Sequence, residues 1–314
     1  MQSVDIPAPG PGEVLLRTQY SCISPGTELR CLAGLQPGLV DPPYIPGYAT
    51  AGIVELAGDG ASLAVGTRVI GGGTIRASVN RSWGGHVEYV LIDANACIPL
   101  HPEDDLVVAS VARLAGIAYR GVRLAQVQPH ETVAVVGLGA IGQGSARLFR
   151  ATGANVVAID PVAGRRDTAR AAGIPTMTID EARASLIDAV DVVVDATGNE
   201  RAFPLAVDLA RPPATWGQTA PGSSRIIVQG SYPADLPVPY QDTFRKELSV
   251  RFPRDVGRED MQTVMRLHRE GTLNLRSLVT DVLPPSEAAR AYEALRTRPD
   301  AITYAFDWNA PAAA

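Results

Sequence analysis

Up to about residue 106 the chain carries short apolar or alternating runs, at 13–17, 52–56, 68–70 and 86–92, each cut off by Pro or Gly. Alternation with a period of two sends one side of a run into a core and the other into water, which is the pattern of β-strands. Pro9-Gly10-Pro11-Gly12, Pro42-Pro43 and Gly71-Gly72-Gly73 supply the breaks. At 107–125 small and apolar residues recur at helical spacing, and the pattern then changes. A strand at 131–137, a helix at 140–152 and a strand at 154–160 are followed by strand-like runs at 175–179, 191–196, 224–229 and 248–252. Strands alternating with helices build a parallel sheet, and six of them complete a doubly wound one. Helices at 258–271 and 285–297 precede an apolar strand at 301–308, which is expected to return to the first half. The predicted fold is therefore α/β, with a β-rich domain from 1–120 and 253–314 and a doubly wound domain at 121–252.

A chain of 314 residues with 46% apolar composition can bury two cores. The net charge of -5, with Lys and Arg scattered, offers no basic face to nucleic acid or anionic lipid. No apolar stretch approaches the length of a membrane span, and the first residues lack the basic-then-apolar order of a secretory leader. A small-molecule partner and a cytoplasmic location are expected. Cys22, Cys31 and Cys97 are odd in number and form no Cys-x-x-Cys pair, so they read as reduced, buried thiols. The polar, Pro-rich stretch at 211–223 is long for a connection between a strand and a helix. A surface excursion, a subunit contact and the mouth of a substrate site remain open for it.

The strongest local chemistry is Gly137-Leu138-Gly139-Ala140-Ile141-Gly142, which follows an apolar strand and opens a helix. Asp160 ends the next strand, eighteen residues after Gly142. This combination is the fingerprint of a dinucleotide site: Gly137 permits the turn, Gly139 admits a pyrophosphate to the backbone, and Gly142 lets helix and strand pack closely. Helix dipole and N–H groups then face the phosphate charge. A carboxylate at Asp160 accepts the ribose hydroxyls and repels a ribose phosphate, favouring NAD over NADP. Arg165 and Arg166 stand a few residues on, either as a solvated helix start or within reach of a phosphate.

Several stretches together resemble one family, the medium-chain dehydrogenase/reductases. They are Pro9-Gly10-Pro11-Gly12-Glu13-Val14-Leu15, Ile45-Pro46-Gly47-Tyr48 with Ala51-Gly52-Ile53-Val54, Gly66-Thr67-Arg68-Val69, Gly84-Gly85-His86-Val87-Glu88-Tyr89, the glycine fingerprint, Asp195-Ala196-Thr197-Gly198, and Lys246-Glu247-Leu248. The resemblance runs from Pro7 to Trp308. It implies a GroES-like catalytic domain, discontinuous in sequence, a Rossmann domain, and an active site between them. Thr197, Gly198 and Gly230 join the expected cofactor set with Ala140, Ile141 and Arg165, and Tyr119 matches a helix position near the nicotinamide or a core aromatic. A homodimer joined through the last sheet strand, 248–252, is implied as well. Members usually carry one more strand before the Pro-Gly-Glu-Val strand, whereas Met1 lies almost on it, which points to a trimmed sheet or a misassigned start.

The family's zinc enzymes place metal ligands where this chain has Pro25, the Tyr48-Ala49 pair and Ala115, and the cysteines of their structural zinc lobe are missing from 71–84. Zinc needs thiolate, imidazole or carboxylate donors, so a metal-free site is expected. Without a Lewis acid the substrate oxygen must be served by side chains. Thr27 matches the hydroxyl that relays the proton in the relatives, and Tyr48 either presents its phenol to the reacting oxygen or fills the vacated volume. Glu28 is expected as a supporting carboxylate or a salt-bridge partner. Arg30 cannot end a relay as a base and is left for an anionic group. His86, His101, His130 and His268 are expected at the surface.

These features support a zinc-independent oxidoreductase that moves a hydride between NAD(H) and a secondary alcohol or ketone, with a biosynthetic role as one option. A quinone or enoyl reductase of the same family is a second reading, weakened by Asp160 because those enzymes usually take NADPH. A noncatalytic nucleotide-binding protein is the third.

Overall fold

The computed structural model describes residues 2–214, 224–233 and 235–310, so most of the Pro-rich connection, 215–223, lies outside the described residues. The chain separates into two units, Met1–Leu114 with Met261–Ala314, and Ala115–Asp260. The divisions thus fall at Leu114/Ala115 and Asp260/Met261, rather than at 120/121 and 252/253. Both fall inside helices, where the apolar pattern that guided the expected boundaries does not change.

The first unit begins with β1 (Glu13–Cys22), α1 (Pro25–Leu32), β2 (Tyr44–Ile45), β3 (Ala49–Ala57), β4 (Arg68–Gly71), β5 (Asn80–Arg81), β6 (Tyr89–Asp93) and β7 (Ile98–Pro99). It then enters α2 (Leu106–Ala125), within which the division falls. β1 is the hub of its sheet. Its residues 14–22 pair antiparallel with β3, with two register shifts, while β6 takes 13–17 on its other side. Val14, Leu16, Val54, Val69, Val90 and Ile92 meet in the core that this alternation predicts. The strand expected at 86–92 starts only at Tyr89, because Gly84 at φ 83° belongs to a loop that turns His86 inward. The helix α1 is an element that hydrophobic periodicity does not announce: Pro-Gly-Thr reads as a turn, yet Pro at the first helical position is compatible with a helix start.

The second unit continues from α2 with β8 (Thr132–Val136), α3 (Ala140–Ala151), β9 (Asn155–Ile159), α4 (Ala163–Ala171), β10 (Thr176–Met177), α5 (Ile179–Ser185), β11 (Val192–Asp195), α6 (Phe203–Leu209), β12 (Arg225–Val228), α7 (Tyr240–Arg245) and β13 (Ser249–Arg251). Its six strands are parallel in the order β10-β9-β8-β11-β12-β13. That is the doubly wound order, with the reversal between β8 and β11. The central strands are continuous apolar runs because helices cover both faces, and Phe203, Ile226 and Val193 lie fully buried among them.

The division into the first unit's second segment lies in α8 (Arg258–Arg269), and β14 (Asp281–Leu283), α9 (Ala288–Thr297) and β15 (Tyr304–Asp307) follow. β15 pairs antiparallel with 20–22 of β1 and parallel with β14. The last strand thus returns to the first sheet, and Ile23, Leu283, Ala291, Leu295 and Phe306 form a second small core there.

Candidate active site

The glycine turn of the second unit is built by backbone fit. Gly137 sits at φ 89°, and a Cβ there would stand 2.9 Å from Thr197 Cγ2. At Gly142 a Cβ would fall 1.7 Å from the Gly137 carbonyl oxygen, so close packing of α3 on β8 requires glycine. Gly139 is the opposite case, since a Cβ there meets nothing within 4 Å. It is the N-cap of α3, with no side chain capping the helix. The first turn of α3, at Ala140 and Ile141, thus has no side chain capping its N–H groups and has open space beside Gly139, which suits a pyrophosphate.

Asp160, 2% exposed, closes the turn from the next strand. Its Oδ2 accepts the Leu138 N–H at 2.7 Å and its Oδ1 the Val162 N–H at 2.8 Å. Each carboxylate oxygen has a second acceptor site, which leaves capacity for ribose hydroxyls. Arg165 lies 3.8 Å from this carboxylate, and Arg166 donates to the carbonyls of Asp160 and Pro161. Further along the carboxyl edge, the Thr197 hydroxyl donates to Asp195 Oδ1 at 2.7 Å. Gly198 adopts φ 65°, and a Cβ on Gly230 would stand 2.4 Å from its nitrogen. Sequence reasoning missed Tyr232, whose hydroxyl donates to the fully buried Asp195 and whose pKa is pushed up by burial first and by that carboxylate second. Among the described residues no hydrogen bond or ring contact joins Tyr119 to this group.

The first unit holds a separate polar cluster. α1 starts at Ser24, 7% exposed, whose hydroxyl makes no cap bond and lies 2.6 Å from the Tyr48 phenol oxygen. Thr27, one turn on, gives Tyr48 a second side-chain hydrogen bond. The Tyr48 ring meets the edge of Trp83 at 5.5 Å between centroids, and the Arg113 guanidinium lies 5.4 Å from its centroid. Trp83 takes φ 73°, a conformation that bulky L-residues rarely hold without a reason in their surroundings. Burial raises the Tyr48 pKa; the Ser24 and Thr27 hydrogen bonds and the Arg113 charge pull it down, and Glu28 pushes it up.

Glu28, 1% exposed, anchors the layer behind. Its Oε1 accepts the Ser24 N–H at 2.7 Å, and its Oε2 meets His86 Nε2 at 2.9 Å and accepts the Tyr292 hydroxyl. Burial first and Glu28 second hold the Tyr292 phenol well above its usual range. His86 Nδ1 lies 2.8 Å from Ser21 Oγ, which also accepts the Trp308 indole N–H at 2.8 Å. The expectation of a surface His86 is corrected: its side chain is 6% exposed, edge-on to Phe306. Gly47 makes this possible, since a Cβ there would stand 2.6 Å from His86 Cδ2. His101 and His130 are exposed, and His268 is partly buried against the Leu273 carbonyl. Arg30 shares α1, donates to Gln36, and has its pKa lowered by burial.

A zinc ion does not fit these residues. Glu28 and His86 are a close pair of donor type in the cluster, but among the described residues no group of three or more His, Cys, Asp or Glu could hold a metal ion. Cys22, Cys31 and Cys97 are buried thiols, and burial pushes the Cys22 thiol up to about 12, far from the thiolate that a metal needs.

Comparison with known proteins adds the following. The alcohol dehydrogenase GroES-like domain model matches residues 10–102, and the NAD-binding domain model of D-isomer specific 2-hydroxyacid dehydrogenases matches 117–203. The chain is 26% identical to 2-desacetyl-2-hydroxyethyl bacteriochlorophyllide A dehydrogenase of Cereibacter sphaeroides, over 99% of this chain and 95% of the relative. It is 28% identical to L-galactonate-5-dehydrogenase of Escherichia coli, over 92% and 89%. Among solved structures, a thermostable alcohol dehydrogenase from Pyrobaculum aerophilum superposes with a TM-score of 0.77 at 25% identity, covering 96% of this chain and 93% of that one. The 2R,3R-butanediol dehydrogenase of Bacillus subtilis shares the fold at 19% identity, with a TM-score of 0.80 and coverage of 98% and 95%. No helix among the described residues is long and apolar enough to cross a membrane.

Proposed function

We propose, from the premise that this chain belongs to the medium-chain dehydrogenase/reductase family and takes NAD as its cofactor, that it is a zinc-independent oxidoreductase of secondary alcohols and ketones. When bound, NAD supplies the hydride acceptor and NADH the donor. The α3 N–H groups beside Gly139 hold the pyrophosphate, and Asp160 takes the ribose hydroxyls. Thr197, Gly198 and Gly230 line the same carboxyl edge.

The observation that carries the reading is the Tyr48 phenol, met by two side-chain hydroxyls in a site where, among the described residues, no group of three zinc donors comes together. A phenol with a raised pKa keeps its proton at neutral pH, so Tyr48 gives that proton to a ketone oxygen as hydride arrives at carbon. In the reverse direction the phenolate takes the proton of the alcohol, and this limb strengthens as pH rises. A hydroxyethyl group and a sugar secondary hydroxyl, suggested by the names of the two relatives, are both secondary alcohols. A biosynthetic substrate is consistent with the first of them.

The test is an NAD(H)-linked assay over a panel of secondary alcohols and ketones in the presence of chelator. Wild type is expected to turn over with chelator present, and Tyr48→Phe to lose about a hundredfold or more while binding NADH normally. Activity abolished by chelator and restored by zinc would overturn zinc independence. Reduction of quinones or enones alone would favour the reductase reading, and no turnover with intact NADH binding the noncatalytic one. We also propose a homodimer, supported by the place of β13 at the end of the strand order among the described residues and by exposed Tyr240, Phe244 and Phe252; a monomer in sedimentation at working concentration would remove it.

A further inference from the structure

We propose that Ser24 is a positioning residue for Tyr48, donating a hydrogen bond that leaves the phenol proton free for the substrate; this rests on the reading of Tyr48 as the proton donor. A serine before a helix ordinarily turns its hydroxyl onto an N–H of the first turn. Ser24 does not, although it is the N-cap of α1. Glu28, one residue past the position of a capping-box carboxylate, reaches back to the Ser24 N–H at 2.7 Å. The hydroxyl is diverted from the helix and stands 2.6 Å from the Tyr48 oxygen.

The count of donors and acceptors explains what the diversion does. A phenol has one proton to give and lone pairs to accept with. Ser24 and Thr27 both approach its oxygen. With both hydroxyls donating, the acceptor capacity is filled and the proton points to a third partner, the substrate oxygen. After the proton leaves, the same two donors hold the phenolate, the form in which hydrogen bonds are strongest. Glu28 fixes the Ser24 backbone from a buried position, so the hydroxyl is held in place before substrate arrives. The charged groups facing Tyr48 are Glu28 and Arg30 of α1 and Arg113 of α2.

The experiment places a fluorinated tyrosine, more acidic than tyrosine, at position 48 of the full chain and follows its titration by fluorine NMR without substrate. Ser24→Ala is expected to raise the midpoint by about one pH unit, the worth of one hydrogen bond to a charged group, and Ser24→Thr to restore it. In the natural-tyrosine enzyme with a ketone from the panel, Ser24→Ala should move the alkaline limb of turnover upward by a similar amount. A role confined to folding would lower the rate without moving either. An unmoved midpoint and limb in a folded Ser24→Ala protein, or a folded Ser24→Thr protein that fails to restore them, overturns the proposal. Failure of the parent reading looks different: Tyr48→Phe then turns over normally, and both readings fall whatever the titration shows.

Discussion

The nucleotide turn of the second unit and the Tyr48 cluster of the first are both polar sites on well-packed sheets, but they are made in opposite ways. The turn works through backbone: glycines that a Cβ would spoil, helix N–H groups, and one carboxylate that binds Leu138 and Val162 from the neighbouring strand end. The cluster works through side chains drawn from Ser21 to Trp308, each satisfied by another: Tyr48 by Ser24, Ser24 by Glu28, Glu28 by His86 and Tyr292, and His86 by Ser21. A backbone site tolerates changes of side chain that leave the turn alone. A buried side-chain network fails as a unit, because each loss strands a partner away from water.

That contrast can be broken at its strongest point. Glu28→Ala removes the acceptor of three donors and leaves His86 and Tyr292 buried without it, so the chain should lose about 3 kcal/mol of stability in denaturant. A loss below about 1 kcal/mol would mean that water replaces the carboxylate and that the network is not a unit.

On the backbone side the paired substitutions Gly142→Ala and Gly139→Ala separate folding from binding. The first drives a Cβ into the Gly137 carbonyl and should cost about 2 kcal/mol and most NADH affinity. The second meets open space, so stability should be unchanged while NADH binds roughly tenfold more weakly, by about 1.4 kcal/mol. Equal stability losses in the two would show that Gly139 is not on the open side of the turn.

An effect of the same size as that at Gly139 is expected at Asp160. Asp160→Ala should narrow the preference for NADH over NADPH by about tenfold, the worth of a charge-assisted hydrogen bond, as read by titration of both nucleotides. A wild-type protein that prefers NADPH would transfer the role to Arg165, which stands 3.8 Å from the carboxylate.

The legibility of the two sites follows the same division. Gly137 to Asp160 can be read as chemistry because turn, helix start and strand end lie within one stretch, and local sequence alone dictates their geometry. Thr27, Tyr48 and Glu28 are candidates only through their resemblance to relatives, and nothing near them in the chain points to a hydrogen-bonding role for Ser24, His86, Tyr292 or Trp308. His86 reads as a surface residue at the start of a strand. It is interior because Gly47, on another segment, leaves room for its ring, and because Glu28 and Ser21 satisfy both nitrogens.

By itself the sequence determined the alternation of strands and helices, the parallel sheet and the glycine turn, since periodic burial and glycine torsions are properties of neighbours along the chain. Tertiary structure decided that α1 forms at all, that Ser24 bonds Tyr48 in place of capping its helix, and that a buried carboxylate and imidazole pair stands behind them. Those outcomes depend on which distant groups share a dry interior, where an unpaired polar atom is costly and each partner is fixed by the others.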